Sequence, residues 1–440
     1  MTPNLPPPGD SSTGGPRPLA LGLVILFMLL TGLLVNFSVR PDYGPDEPDH
    51  VAYVHVLATE GRLPTPAESI MVQHPPPFYA LLAPVWRLAG VQQSPLALTP
   101  GPDALAQMTP EAVRGRHLLR VFSTILACLT LLVLARLIAV AGAPPGWQMY
   151  LLLMVAGWPM FEYMSGVVNN ENLAILYSAV AALVLVSRVR VGTCTLRQAA
   201  LLGILIGVGV WVKQTTLFVV PVAVWTVWAI GEPKQRLPRL GAFALAGLLA
   251  GCGWPLRNHA ITGQWFPHYA AVQHQAEVTA GVLANPLTLL SWTKLMLQTG
   301  FLPDWADLLL PPVLAVIVSV SLAVALIACF VVGLRDHSDP VARRLRGMSM
   351  AALLTLVAAL LQYAAFSDWR VQIGGRYLLN GIPWVLTLLS ASFGLLRHSG
   401  KPSVRPSLLA WLAPVLLILF DLNWWYSVFL YYSDPKFGHG

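Results

Sequence analysis

Apolar runs long enough to cross a bilayer recur about eleven times along this 440-residue chain, and that repetition leaves few folds open. They lie at 19–35, 117–140, 147–163, 172–187, 199–212, 216–230, 240–256, 311–333, 348–366, 377–396 and 407–426. In hydrocarbon every backbone N–H and C=O must be satisfied within the protein, so runs of this kind predict helices. Charged residues make up only 11% of the chain, against about 25% in soluble domains, too few to wet a globule of this size. The fold class is therefore an all-α polytopic membrane protein with about 11 transmembrane helices. A soluble enzyme with a large core is excluded. The net charge of +7 is not read as a nucleic-acid footprint, because membrane sidedness accounts for it. Four cysteines without CxxC spacing suggest neither a disulfide framework nor a zinc site.

Residues 1–18 are rich in Pro, Gly and Ser and read as a disordered cytoplasmic tail. Residues 19–426 form the transmembrane domain, and 427–440 a short outer tail. With the N-terminus inside and the spans alternating, the inner side collects 15 of the 27 basic residues and four of the 20 acidic ones. That bias obeys the positive-inside rule and suits a multi-pass protein of the cytoplasmic (inner) membrane. The chemistry then faces out, in two long outer segments at about 37–116 and 257–310. Within the first, residues 76–89 are apolar but short for a span, and Arg87 interrupts them. Phe78, Leu81, Leu82, Val85 and Ala89 recur at helical spacing, which suits an amphipathic helix lying in the interface.

The first outer segment opens with RPDYGPDEPDHVAYVHVLATEGRLP. Asp46 is a good N-cap, Pro48 is tolerated in the first turn, Gly61 suits the position after the last turn, and Pro64 stops continuation. The spacing predicts a helix over 46–60, with Asp46, Glu47 and His50 on one turn. Val51, Val54 and Ala58 would form its apolar stripe toward the membrane. Capping and the helix dipole alone would also explain Asp46 and Glu47. Other polar groups sit where lipid forbids them: Glu171 in GVVNNEN, Lys213 in GVWVKQTTLF, Arg257 at the end of one span and Arg376 at the start of another. Helix capping would account for Glu171 and snorkelling for the two arginines. Lys213 fits snorkelling poorly, since no polar loop follows it. His74, in QHPPPFY, stands beside a proline-led helix start, a setting that suits an anion. Asp46, Glu47, His50, His55 and His74 are potential oxygen and nitrogen ligands, but no ligand spacing fixes a metal, so a divalent ion is left open.

Taken in order, PDEPDHVAY, QHPPPFYALLAP, SGVVNNENLA, WVKQTTLFVVP, WPLRNHAITGQWFP, QTGFLPDWADLLLP and GGRYLLNGIPWV resemble segments of the GT-C superfamily of membrane glycosyltransferases. The chain is most similar to bacterial relatives of protein O-mannosyltransferase and of the lipid A aminoarabinose transferase. The resemblance implies a GT-C-like fold and a polyprenyl-phosphate sugar as donor, with membrane lipid around it and no nucleic acid. The acceptor class, whether lipid, glycan or protein, is not implied. It also implies roles. Asp46 would be the base on the acceptor hydroxyl, and Glu47 would bind acceptor or orient the site. His74, Lys213 and Arg376 would meet the donor phosphate. Glu171 stands where relatives often carry Asp, and His50 and Arg257 lie with the substrate-binding set.

The chemistry suits these residues. A leaving phosphate needs cations and N–H donors more than a proton. A hydroxyl needs a general base, which typically contributes about 10²–10⁴-fold. A partly desolvated Asp46 beside Glu47 should resist ionisation, since neighbouring carboxylates repel. Direct displacement would invert the anomeric centre. Two other classes compete: a lipid or glycan transporter or flippase, and an oligosaccharide polymerase or ligase. Transporters often show internal repeats and charges near the midplane, and neither is evident here.

Overall fold

The structure, a computed structural model, describes residues 15–65, 67–95, 104–267, 339–366 and 375–398, with isolated helical positions at 324, 327, 331, 414 and 415. The expected spans at 311–333 and 407–426, both tails and most of the 257–310 segment lie outside the described residues. Among the described residues the protein is helical, without strands. The order is α1 (Pro18–Ser38), α2 (Glu47–Glu60), a 3-10 turn (Ile70–Gln73), α3 (Pro77–Leu88), α4 (Ala104–Gln107), α5 (Pro110–Ala141), α6 (Pro145–Ala156), α7 (Pro159–Ser165), α8 (Glu171–Val191) and α9 (Leu196–Val212). A 3-10 segment (Gln214–Val219) leads into α10 (Val220–Ala229), followed by α11 (Arg236–Gly251), α12 (Gly253–Thr262), α13 (Pro340–Phe366), a 3-10 segment (Gly375–Gly381) and α14 (Ile382–His398).

Helices α1, α5 and α8 and the Pro340–Gln362 part of α13 are long and apolar enough to cross a bilayer. A fifth crossing is reached if Pro233–Gly251 and α12, bent by 51° at their junction, count as one span. The expected number near eleven is thus met only in part among the described residues. Exposed leucines at 19, 23, 245, 248 and 249 are what a lipid-facing surface requires, and together these features make a multi-pass membrane protein. Some expected spans are broken rather than continuous. The 147–163 run divides at Gly157 and Trp158 into α6 and α7, and Pro159 sets the new start. The 240–256 run likewise breaks between α11 and α12, whereas the break at Lys213 falls between two expected spans, as anticipated.

Local chemistry explains the well-formed ends. Thr109 caps α5 by accepting from the Ala112 N–H, and Gly142, at φ 103°, ends it in the left-handed region. Thr195 and Gln198 form a capping box at the start of α9. The main core runs through α1, α5, α6, α8, α9, α10, α13 and α14. A second cluster joins α2 and α3 to the start of α5.

That second cluster corrects two expectations. Val51, Val54 and Ala58 do not face the membrane; they are buried under α3 and α5. In α3 the buried face is Phe78, Tyr79, Leu82, Ala83 and Trp86, whereas Leu81 is exposed. The anticipated stripe is rotated because Trp86 packs inward, where its indole N–H donates to His55 Nδ1 at 3.2 Å. The Arg87 guanidinium donates to the Ala58 carbonyl at 2.6 Å, so it fastens α3 to the end of α2.

Helices α9 and α11 approach through glycine. A Cβ on Gly207 would lie 2.4 Å from the Gly247 carbonyl oxygen, and one on Gly203 2.1 Å from that of Phe243. Backbone cannot yield as a side chain does, so close helix contact demands the missing Cβ. Gly241 on α11 has open space around it. We expect Gly207→Ala to cost about 1–3 kcal/mol, as overpacking does, and Gly241→Ala to cost nothing. Melting temperatures in detergent test the pair; equal melting of the two variants would refute the close contact.

Candidate functional site

Glu47, the first residue of α2, is fully buried. Its carboxylate accepts from Arg120 Nε at 2.7 Å and Nη2 at 2.6 Å. It also accepts from the Gly44 N–H at 3.0 Å and the Val168 N–H at 2.9 Å. Burial opposes its charge, but the Arg120 guanidinium and the two backbone donors outweigh burial and hold Glu47 below the usual carboxylate range. Arg120 in turn donates to the carbonyls of Asn36, Val39 and Arg40 at 2.9, 2.6 and 2.8 Å. Beside this pair, Arg116 grips Asp42 through two bonds of 2.8 and 2.7 Å. Glu47 is therefore a joint between α1, α2, α5 and the turn before α8, turned away from Asp46.

Asp46 occupies the N-cap position of α2, but its side chain caps nothing. Its φ of 56° is left-handed, a region that aspartate tolerates better than most residues. The side chain is 40% exposed, and its Oδ2 accepts from Arg376 Nη2 at 2.5 Å. Asp46 and Glu47 thus pair with separate arginines. Helix α2 otherwise begins and ends as anticipated, with Pro48 in its first turn and Gly61 at φ 68°.

The NNEN turn bridges this corner to the lysine. Asn169 donates to the Pro45 carbonyl at 3.0 Å, next to Asp46. Asn170 accepts from Lys213 Nζ at 2.8 Å, and the Glu171 carboxylate pairs with the same ammonium. Glu171 also accepts from Asn380 Nδ2 at 2.8 Å. Its role is thus more than capping, although it opens α8. Lys213 is buried at the end of α9, where the chain turns extended, and its Nζ sits 4.9 Å from the centre of the Tyr377 ring. The Arg376 guanidinium lies 5.3 Å from the same ring.

A histidine-tyrosine shelf closes the other side. His50 Nδ1 and Tyr79 Oη are 3.0 Å apart, and Tyr79 stacks on Tyr53 with ring centres 3.7 Å apart. His74 lies 6.4 Å from His50, ring to ring, and its carbonyl accepts from Tyr53 Oη at 3.3 Å. Burial, then the charge of Lys213, pulls both histidines well below their ordinary value of 6.5, with Arg376 acting in the same direction. Asp46 acts on His74 in the opposite sense. All five groups therefore share one electrostatic neighbourhood. Arg257 is one step removed. Its Nη1 donates to the Val72 carbonyl at 3.3 Å and its guanidinium stacks on Trp254, whose indole N–H donates to the Gln73 carbonyl at 3.0 Å. It holds the strand of chain leading to His74.

Among the described residues, an apolar cavity of about 710 Å³ opens between α9, α10, α11 and α12. Its lining includes Val210 and Leu217, which flank Lys213 in the chain, and reaches Leu256 and Phe266. No group of three or more His, Cys, Asp or Glu suited to a metal ion occurs among the described residues.

Arg120, Asn170 and Asn380 escaped the sequence reading. Arg120 had a usable signal, an arginine one helical turn inside an apolar run. The two asparagines lie in the quoted GVVNNEN and GGRYLLNGIPWV segments, but neither had a signal of its own.

No family model and no curated protein matches the chain. It is similar to two crystal structures of ArnT from Cupriavidus metallidurans. With the form bound to undecaprenyl phosphate it shares 13% identity over 87% of this chain and 79% of that one, with a TM-score of 0.38. With the apo form the identity is 14%, the coverage 86% and 77%, and the TM-score 0.35. Likeness at this level fixes neither substrate nor residue roles.

Two outcomes follow from the geometry. Arg120→Leu should cost about 3–5 kcal/mol by leaving Glu47 charged and unpaired, and adding Glu47→Leu should recover part of that. A double variant less stable than the single one, by thermal unfolding, refutes the pairing. Because His50 and His74 stay neutral when folded, the unfolded chain binds more protons below about pH 6.5. The melting temperature should therefore fall as pH drops from about 7 to 5, less steeply in His50→Gln. Parallel pH profiles would remove His50 from this effect.

Proposed function

We propose that the chain is a membrane glycosyltransferase of GT-C type, moving a sugar from a polyprenyl phosphate to an acceptor hydroxyl at the extracytoplasmic face of the inner membrane. The observation that carries this reading is that one solvent-accessible carboxylate, Asp46, pairs with Arg376, and that both act together with Lys213 on His74 at the end of a helical bundle. Those residues come from three distant parts of the chain, and purely structural pairs at a helix end do not need such convergence.

In the reaction Asp46 takes the proton of the acceptor hydroxyl, whose oxygen forms the new bond to the anomeric carbon. The bond from that carbon to the phosphate oxygen breaks, and its electron pair leaves with the phosphate. The donor is a phosphodiester with one negative charge, and the leaving group is a monoester with two. Lys213 and Arg376 hold the charge that develops, and a low-dielectric site strengthens the effect. His74 and His50, kept neutral by burial and by the cations, supply N–H donors without adding charge. Glu171 and Asn170 fix the ammonium of Lys213, and Glu47 anchors the helix that carries Asp46. The cavity lined by Val210, Leu217 and Phe266 supports room for an isoprenoid tail beside the phosphate position. Single displacement inverts the anomeric centre.

Radiolabelled polyprenyl-phosphate sugars, incubated with the purified protein and candidate acceptors, test the reading. Donor-dependent transfer is expected, with Asp46→Asn reducing turnover about 10²–10⁴-fold at near-normal donor affinity. Lys213→Ala should raise the donor Kd more than the acceptor KM. Uptake of intact donor into sealed vesicles without cleavage would favour a flippase, and full turnover by Asp46→Asn would falsify the assignment of the base.

A further inference from the structure

We propose that the Asp46–Arg376 ion pair is a resting latch, opened when the donor phosphate takes the guanidinium and leaves the carboxylate free to act as base. This rests on the functional reading above and adds an order to it: the acceptor hydroxyl is activated only after the donor has arrived.

Three observations carry the proposal. First, the pair is one-pronged. Arg376 gives Asp46 its Nη2–H at 2.5 Å, while Arg376 Nε is buried and has no hydrogen-bond partner among the described residues. Nε and Nη2 lie on the same edge of the guanidinium, the edge that binds two oxygens of one phosphate side by side. A phosphate there satisfies the orphaned Nε and makes two bonds where Asp46 makes one.

Second, Asp46 has little else to hold it. Arg376 is its side chain's hydrogen-bond partner among the described residues, and the Asp46 side chain is 40% exposed against 11% for Arg376. A released carboxylate can therefore be solvated, or meet an acceptor, without crossing the protein. The other acids of the neighbourhood differ. Glu171 is fully buried between Lys213 and Asn380, and Glu47 has four donors. Both are fixtures. Asp49, also within electrostatic reach of Asp46, accepts from the Ile70 N–H at 3.3 Å and faces no cation in an ion pair among the described residues, so Asp46 is the acid that exchanges Arg376.

Third, the charges favour exchange in the useful direction. At rest Lys213 pairs with Glu171 and Arg376 with Asp46, so the two cations balance the two acids. A donor phosphodiester adds one negative charge. It removes the cation from Asp46 and places an anion nearby, and both changes raise the basicity of the carboxylate as substrate becomes available. After transfer the proton rests on Asp46 and the doubly charged monoester on the cations. Loss of that proton to water restores an anionic Asp46 that competes again for Arg376 and assists release.

The test uses the full chain in lipid nanodiscs, labelled with a water-soluble carbodiimide at about pH 6, with modification of Asp46 read by mass spectrometry. The probe is a short-chain polyprenyl monophosphate without sugar, and the matching isoprenoid alcohol is the control. Retention of each lipid is measured in parallel by native mass spectrometry. The acid protonates the carbodiimide and its oxygen then attacks the central carbon, so labelling follows the protonated form, which a rise of about one unit in Asp46 basicity increases about tenfold. The expected result is a several-fold gain in labelling with the phosphate and none with the alcohol. Arg376→Gln should label fast from the outset and not respond. Retained phosphate with unchanged or slower labelling overturns the latch and leaves the phosphate site standing. No retention of the phosphate overturns the functional reading, and the latch with it.

Discussion

The buried pairing of Glu47 with Arg120 is the constraint on which the rest of the candidate site depends. A carboxylate and a guanidinium withdrawn from water are costly unless their remaining donors and acceptors are filled. Here they are filled by the ends of other elements. Arg120 takes one carbonyl in the last turn of α1 and two just after it, and Glu47 takes the N–H groups of Gly44 and Val168. The segment between α1 and α2 is thereby pinned to α5 and to the turn before α8. Asp42 and Arg116 pin it a second time. Asp46 is then presented left-handed and outward, opposite Arg376.

Four acids in this small region pair with a cation, and they have different fates. Burial and the number of fixed donors decide between them. Glu47, Glu171 and Asp42 each face a cation inside the protein, and Asp46 faces one across an accessible surface. An acid that is to receive a proton from substrate must be reachable and must not be locked by several donors. The aromatic shelf of Tyr53, Tyr79 and His50 completes the enclosure, packed tightly enough to hold two neutral histidines near two cations.

Much of this was legible locally. The Pro48 and Gly61 signals bounded α2 to within a residue, and the break at Lys213 was visible as a charge with no polar loop behind it. Glu171, Lys213 and Arg376 were marked by polarity in an apolar context, Asp46 by its place at a helix start and His74 by the proline-led turn beside it. Reading failed where facing direction mattered. Val51, Val54 and Ala58 have the spacing of a membrane-facing stripe, and a stripe buried under α3 has the same spacing. Asp46 looked like a cap because its type and position suit one, yet the left-handed backbone sends its oxygens to Arg376. Arg120 was overlooked because it lies within a span whose hydropathy is otherwise high.

Hydropathy and helix-end chemistry act over a turn or two, so the sequence alone determined the helical, membrane-crossing character of the chain and the residues too polar to lie in lipid. Which of those polar residues meet was decided only by tertiary structure. Glu47 and Arg120 are separated by 73 positions, and Asp46 and Arg376 by 330. No periodicity links residues so far apart. They meet because glycine-mediated helix contacts and the buried ion pair close the bundle, and the cost of leaving a charge unpaired in a low-dielectric interior selects its partner.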